Sequence, residues 1–399
     1  MSFDPQKFRP DFPPLSAAKP PVYLDSACVT LRPRSVINAC AEYYEKFPGC
    51  HLRATHAFSR EASARLERAR AGAAAFMGAQ DPSCVIFLRN TTEAINLVAR
   101  SVGARGPVLI SELEHNSNLL PWLELERSGS SRCGFFRLNE DLSFSLERFA
   151  AELKKGAALV SVPHKCHVTG CEYPVREIAA LTHKAGALLL VDGAQGAAFG
   201  AADVKALGAD FYACSAHKAL GPSGFGCLYA SREAREFLRP MNLGGGTVED
   251  VSGGVYTLSP APYRFEAGLQ DYSGALGLEA AAAYLRSAGP GAAAHAASLN
   301  DEATEELLKF KGLRLIGPRA GRANILNFYV EGVDSVELAE MLDRTAGVMV
   351  RAGRHCAHSW YNASGTPPSV RASFHLYNTR EEAGLFVKTL HSLIKYFYR

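Results

Sequence analysis

The sequence predicts an α/β fold built on a mainly parallel sheet with helices on both faces. Three observations carry that expectation. Short runs that are apolar throughout recur along the middle of the chain. Helical patterns separate them. The composition, 47% hydrophobic and 21% charged over 399 residues, is that of a folded chain long enough for two domains. A strand covered on both faces has no polar side to alternate with, so uniformly apolar runs point to parallel pairing.

The elements follow in order. Residues 85–88 form the first apolar run, and residues 92–102 read as a helix. Further strands are expected over 108–110 and 157–162. Residues 174–184 read as a helix, with Val175, Ile178 and Leu181 on one face and Gly186 at the stop position. Strands are then expected over 187–191, 211–215 and 225–229. An Ala-rich helix begins at Ala280, and residues 381–398 are amphipathic, with Phe386, Leu390, Leu393, Ile394 and Phe397 on one stripe. We expect a large domain over 20–283 and a smaller α+β domain from 1–19 with 284–399.

Charge and cysteine usage exclude several function classes. A net charge of +3 with no long run of like charges sets up no field for nucleic acid. The first residues lack the apolar stretch of a signal peptide, and no uncharged apolar run is long enough to span a membrane. The ten cysteines form no C-x-x-C pair. They read as reduced thiols, mostly small buried apolar residues, of a cytoplasmic protein.

In an open parallel sheet, ligands sit at the carboxyl ends of the strands. Three such ends carry chemistry. After 85–88 comes Arg89-Asn90-Thr91-Thr92-Glu93, whose hydroxyls and free N–H groups can cap a helix or hold an anion. After 187–191 comes Asp192-Gly193-Ala194-Gln195, where a carboxylate can face a cationic ring nitrogen; an ordinary turn aspartate is the plainer reading. After 211–214 comes Ser215-Ala216-His217-Lys218, followed by a Gly-rich stretch at 221–226. A lysine there points into the site, where desolvation or neighbouring cations can free its amine to form an imine. An anion-binding helix start, a ring-nitrogen partner and an imine lysine are together what pyridoxal 5'-phosphate (PLP) requires.

The chain resembles the class V aminotransferase group of fold-type I PLP enzymes, and within it the SufS-type cysteine desulfurases. The segments that carry the resemblance begin with Tyr23-Leu24-Asp25-Ser26-Ala27, Asn90 to Asn96 and Glu114-His115-Asn116. Further on come Val191 to Gln195, Ser215 to Lys218 and Arg264 to Gly268, then Arg351 to Ala357, Arg371-Ala372-Ser373 and Tyr377-Asn378-Thr379. The resemblance implies that Lys218 forms the imine and moves protons. Asp192 would pair with the pyridine nitrogen, Gln195 would reach the phenolic oxygen, and His115 would stack on the ring. Thr92, Ser215 and His217 would bind the phosphate, with Thr91 nearby. Arg371, with Arg351 beside it, would hold the substrate carboxylate, a task suited to a planar bidentate cation.

Cys356 sets the reaction type that the resemblance implies: L-cysteine goes to L-alanine, and the sulfur becomes a persulfide on Cys356. From there it would pass to an acceptor protein or scaffold, for iron–sulfur cluster or other thio-cofactor biosynthesis. Its neighbours Arg351, Arg354 and His355 suit a nucleophilic thiolate. A metal site from His355, Cys356 and His358 lacks a second ligand cluster. The same motifs admit another class V enzyme, such as a C–S or C–Se lyase (selenocysteine lyase) or an aminotransferase. The group is usually homodimeric, with residues 264–270 reaching the partner.

Five positions depart from the pattern. His167 stands where an Asn near the phenolic oxygen is usual, and Asn116 where a second His is common. Leu269 replaces a Thr or Ser that reaches the partner's phosphate. Cys28 and Cys166 place two more thiols near the site.

Overall fold

A computed structural model describes residues 3–102, 105–200 and 202–398. Its centre is a seven-stranded sheet in the order Val85–Leu88, Gly226–Ala230, Phe211–Ser215, Leu188–Asp192, Leu159–Pro163, Val108–Ser111, Cys133–Phe136. All but Gly226–Ala230 run in one direction; that strand is antiparallel to both neighbours. The central strands are buried along nearly their whole length, which is why they are mostly apolar, with polar residues chiefly at their carboxyl ends.

Helices cover both faces. Thr91–Val102 buries Ala94, Ile95, Leu97 and Val98 against one face with Phe211, Ala213 and Leu228. Val175–Lys184 packs Ile178 and Ala179 against the other, in a core shared with Val160, Leu189 and Val191. The long helix Tyr272–Ala288 packs on Arg34–Lys46 and Ala57–Phe76.

A second, antiparallel sheet has the order Leu313–Leu315, Ile325–Val330, Ser369–Ser373, Arg351–Gly353. Helices Gly291–Leu307, Ser335–Ala346 and Arg380–Phe397 close over it, and Leu299, Leu342, Phe328, Phe386 and Leu390 form its own core. Thr379 caps the last helix in a reciprocal box with Glu382. Val22–Tyr23 pairs in parallel with Val348–Met349, so Val22 and Leu24 join this smaller core, whereas Phe12 and Leu15 join the large one.

Two glycines let the backbone close around the strand ends. A Cβ on Gly193 would sit 2.1 Å from the Tyr212 ring, and one on Gly226 would sit 2.5 Å from Cys214 O. All ten cysteines are free; five are buried and five half-buried, so the expectation that most are core residues holds for half of them. Among the described residues, no helix is long and apolar enough to cross a membrane.

Candidate functional site

The carboxyl ends of the parallel strands and one edge of the small sheet enclose a cavity of about 310 Å³. Thr91, Thr92, His115, His167, Asp192, Gln195, Ser215, His217, Lys218, Arg351, Cys356 and Arg371 all line it. Every site residue expected from the sequence is therefore in one place.

At its floor, Asp192 ends the central strand with its side chain buried. Its Oδ1 accepts from Ala194 N at 2.9 Å. Burial pushes its carboxyl up, opposed by the Lys218 charge. Lys218 closes a short turn, Ala216–Lys218, which Thr30 pins: Thr30 N and Oγ1 both donate to His217 O, at 2.9 and 3.0 Å. Desolvation lowers the Lys218 amine, with Asp192 pulling the other way and Arg371 adding to the fall. The cavity's other lysine, Lys165, is bridged to Glu172 at 3.5 Å, whereas no acid among the described residues lies within bridging distance of Lys218. Lys218 is thus the amine with the environment for imine chemistry.

The helix start beside them carries hydroxyls, but Asn90 is its cap: Asn90 Oδ1 accepts from Glu93 N at 3.0 Å. Thr91 N instead donates to Ser215 Oγ at 2.8 Å, and Thr92 Oγ1 meets Ser117 Oγ at 2.7 Å. The hydroxyls therefore converge on a helix N-terminus, where backbone N–H groups favour an anion. Gln195 Nε2 donates to Ala27 O at 2.7 Å, which fixes its amide at the cavity wall.

His115 lies on the cavity wall, its Nδ1 accepting from Ser117 N at 3.0 Å. Burial, with Lys218 and the two arginines nearby, brings its imidazole down to about 3, so it is neutral at physiological pH. Beneath it, Glu114 is buried and bonded to Ser111 and Asn118, its carboxyl raised to about 8 chiefly by desolvation. His167 packs edge-on to His115, with ring centroids 4.9 Å apart. It is buried, desolvation holds it well below its ordinary value, and its Nε2 has no hydrogen-bond partner. A buried, unpartnered ring nitrogen on the wall of a polar cavity points to a ligand group that completes it.

Arg351 and Arg371 face each other across adjacent strands. Like charges in register destabilise a sheet unless an anion joins them. Arg371 is 3% exposed; its Nη1 donates to His167 O at 2.9 Å, Nη2 is a loose 3.7 Å from Asp25, and Nε is unpartnered. Arg351 Nη1 donates to Cys28 Sγ at 2.6 Å. Two facing guanidinium groups with an open donor on Arg371 can accept an anion. The pair also alters the expected setting of Cys356, because Arg351 is engaged by Cys28 and Arg354 is exposed.

Cys356 sits on a turn in which His355 and Cys356 both have positive φ, 48° and 60°. For residues with a Cβ this conformation costs about 1–2 kcal/mol each, so surrounding bonds must hold it. His355 supplies one from below, its Nε2 3.0 Å from Ser369 Oγ. Tyr361 and Asn327 extend that network. Among the described residues no cluster of three or more His, Cys, Asp or Glu could hold a metal ion.

Burial brings His355 down to about 2, so it stays neutral in the fold while the unfolded chain takes up a proton near pH 6.5. Its share of stability is present above that pH and lost as pH falls toward the folded value. His355→Asn is therefore expected to lose roughly 1–2 kcal/mol less stability than the parent between pH 7 and pH 5. Urea unfolding at the two pH values measures it, and equal losses would discard the account.

Residues that hold a phosphorylated pyridine aldehyde must offer an amine, a buried carboxylate, an anion cradle and an open donor or acceptor for the ring oxygen. Lys218, Asp192, the Thr91–Ser215 helix start and the orphaned His167 nitrogen supply these in one cavity. Cys28, Ser117 and His355 also line the cavity, beyond the expected site set. Cys28 stood out in the sequence only as a surplus thiol.

Comparison with known proteins agrees. The sequence model of class-V aminotransferases matches residues 22–386. A cysteine desulfurase of Enterobacter sp. (strain 638) is 38% identical over 410 aligned positions, covering 99% of this chain and 100% of the relative. The apo structure of a cysteine desulfurase from Thermococcus onnurineus NA1 superposes with a TM-score of 0.94 at 34% identity, covering 99% of each chain. The Escherichia coli cysteine desulfurase CsdA gives 0.91 at 31% identity, covering 99% of this chain and 100% of that one.

Proposed function

We propose, from the premise that the chain belongs to the class-V aminotransferase family, that it is a PLP-dependent cysteine desulfurase which moves sulfur from L-cysteine to Cys356. Its architecture is that of the fold-type I PLP enzymes. The observation that carries the reading is that Lys218, Asp192, the Arg351–Arg371 pair and Cys356 line the same cavity.

PLP, when bound, supplies an electron sink that weakens bonds at the Cα and Cβ of an amino acid. The chain's residues do the rest. Lys218 offers the desolvated amine and carries the Cα proton. Asp192 holds a proton on the pyridine nitrogen. Thr91, Thr92, Ser215 and His217 would hold the phosphate, Gln195 and His167 would hydrogen-bond the ring oxygen, and neutral His115 would lie against the ring. Arg371, assisted by Arg351, fixes the substrate carboxylate. The Cys356 thiolate attacks the substrate sulfur; an S–S bond forms as the Cβ–S bond breaks, and alanine is the carbon product.

Purified protein given L-cysteine and no keto acid should release alanine in step with protein-bound sulfur. Release only with a keto acid would make it an aminotransferase. Release of sulfide that is insensitive to Cys356→Ala would make it a lyase.

The proposal extends to partners and place. We assign a homodimer, because Leu269 is 66% exposed and the hairpin Val248–Ser252/Val255–Leu258 displays Val251, Val255 and Tyr256 to solvent. A monomer by light scattering would overturn this. A sulfur-acceptor protein is the remaining partner, and ten unpaired thiols fit a reducing cytoplasm; recovery of the protein outside the cytoplasm on cell fractionation would overturn that placement. We propose a large domain over 20–283 and a smaller one from 1–19 with 284–399, although Phe12 and Leu15 pack in the larger core and Val22 and Leu24 in the smaller; limited proteolysis that cuts first within either core would contradict that division.

A further inference from the structure

We propose that Asn116 is a positioning residue for Cys356, a latch that holds the thiol-bearing turn toward the cavity and releases it for delivery. The inference rests on the reading of Cys356 as the sulfur-accepting thiol.

One residue grips the turn at two points. The Asn116 backbone N–H donates to Cys356 O at 2.7 Å. Its side-chain Nδ2 donates to His358 Nδ1 at 3.0 Å. His358 is the first residue of the helix His358–Ser364, which follows the turn. Asn116 opens the short turn Asn116–Asn118 just after His115, on the side of the large sheet, whereas Cys356 and His358 belong to the segment running off the small sheet. The two bonds therefore cross between the two halves of the site.

The turn needs such a hold. His355 and Cys356 are both left-handed without being glycine. His355 is tied down from below by Ser369, but that bond does not reach Cys356. The Asn116–His358 bond lies exposed at the surface, so water competes for it and it can open without disturbing either core. A thiol that takes sulfur inside a cavity and gives it to an external protein must occupy two positions. An exposed bond across the mouth suits that exchange.

The test is a double-mutant cycle on the PLP-loaded enzyme with Asn116→Ala, His358→Ala and the pair. Two rates are read: alkylation of Cys356 by iodoacetamide without substrate, and persulfide formation from L-cysteine. Each single substitution is expected to speed alkylation roughly fivefold, as for loss of one hydrogen bond, and to slow persulfide formation. The double variant should match the singles. Unchanged alkylation in both singles, or effects that multiply in the pair, would overturn the latch. Alkylation reads the latch even if Cys356 never receives sulfur; that separate failure would show as no persulfide in the parent enzyme.

Discussion

Lys218→Ala is expected to lower alanine formation from L-cysteine on the order of 10³-fold or more, with the fold intact. Lys218 is the cavity amine that no carboxylate bridges, and desolvation already holds it below its ordinary value. Lys165 cannot replace it, because Lys165 is bridged to Glu172. The loss should appear in kcat, since the missing group moves a proton rather than binds the substrate. Thermal stability of the cofactor-free protein should hold or rise, because a desolvated amine without an ion-pair partner has been removed. Steady-state kinetics beside a melting curve checks both. Retention of more than a tenth of the activity would remove Lys218 from its role.

Arg371→Ala is expected to raise KM for L-cysteine by roughly 10²-fold, the scale of a charged hydrogen bond lost from a buried site. The guanidinium is 3% exposed, bonds only a backbone carbonyl closely, and keeps Nε unpartnered. Arg371→Lys should recover little, because an ammonium cannot present two parallel N–H groups. An unchanged KM would move the carboxylate site elsewhere, with Arg351 the next residue to test.

Much of this was legible in the sequence for a physical reason. Strands covered on both faces must be uniformly apolar, so Val85–Leu88 and Phe211–Ser215 stand where expected, and the others shift by a residue or two. The edge strand Cys133–Phe136 escaped because it is half-exposed and contains a glycine. That Gly226–Ala230 runs backwards could not be read, since periodicity carries no direction. Thr91, Thr92, Asp192, Gln195, Ser215, His217 and Lys218 were legible because they follow strand ends, whereas His115, His167, Arg351, Cys356 and Arg371 were legible only through the family resemblance.

What stayed hidden depends on register and tertiary contact. Arg351 and Arg371 oppose each other only because their strands pair in that register. His355 read as a basic neighbour of Cys356, yet it is buried and neutral, bonded to Ser369. Asn116 and Cys356 are far apart in the chain, and no local pattern announces their bond.

The most direct measurement is the mass of the Cys356-containing peptide after a single turnover with L-cysteine, in the parent enzyme and in Cys356→Ala. The account predicts a peptide heavier by one sulfur atom in the parent, one alanine released per sulfur bound, and neither bound sulfur nor sustained turnover in the variant. Alanine formed at full rate by Cys356→Ala, or sulfur found on another thiol such as Cys28, would contradict it.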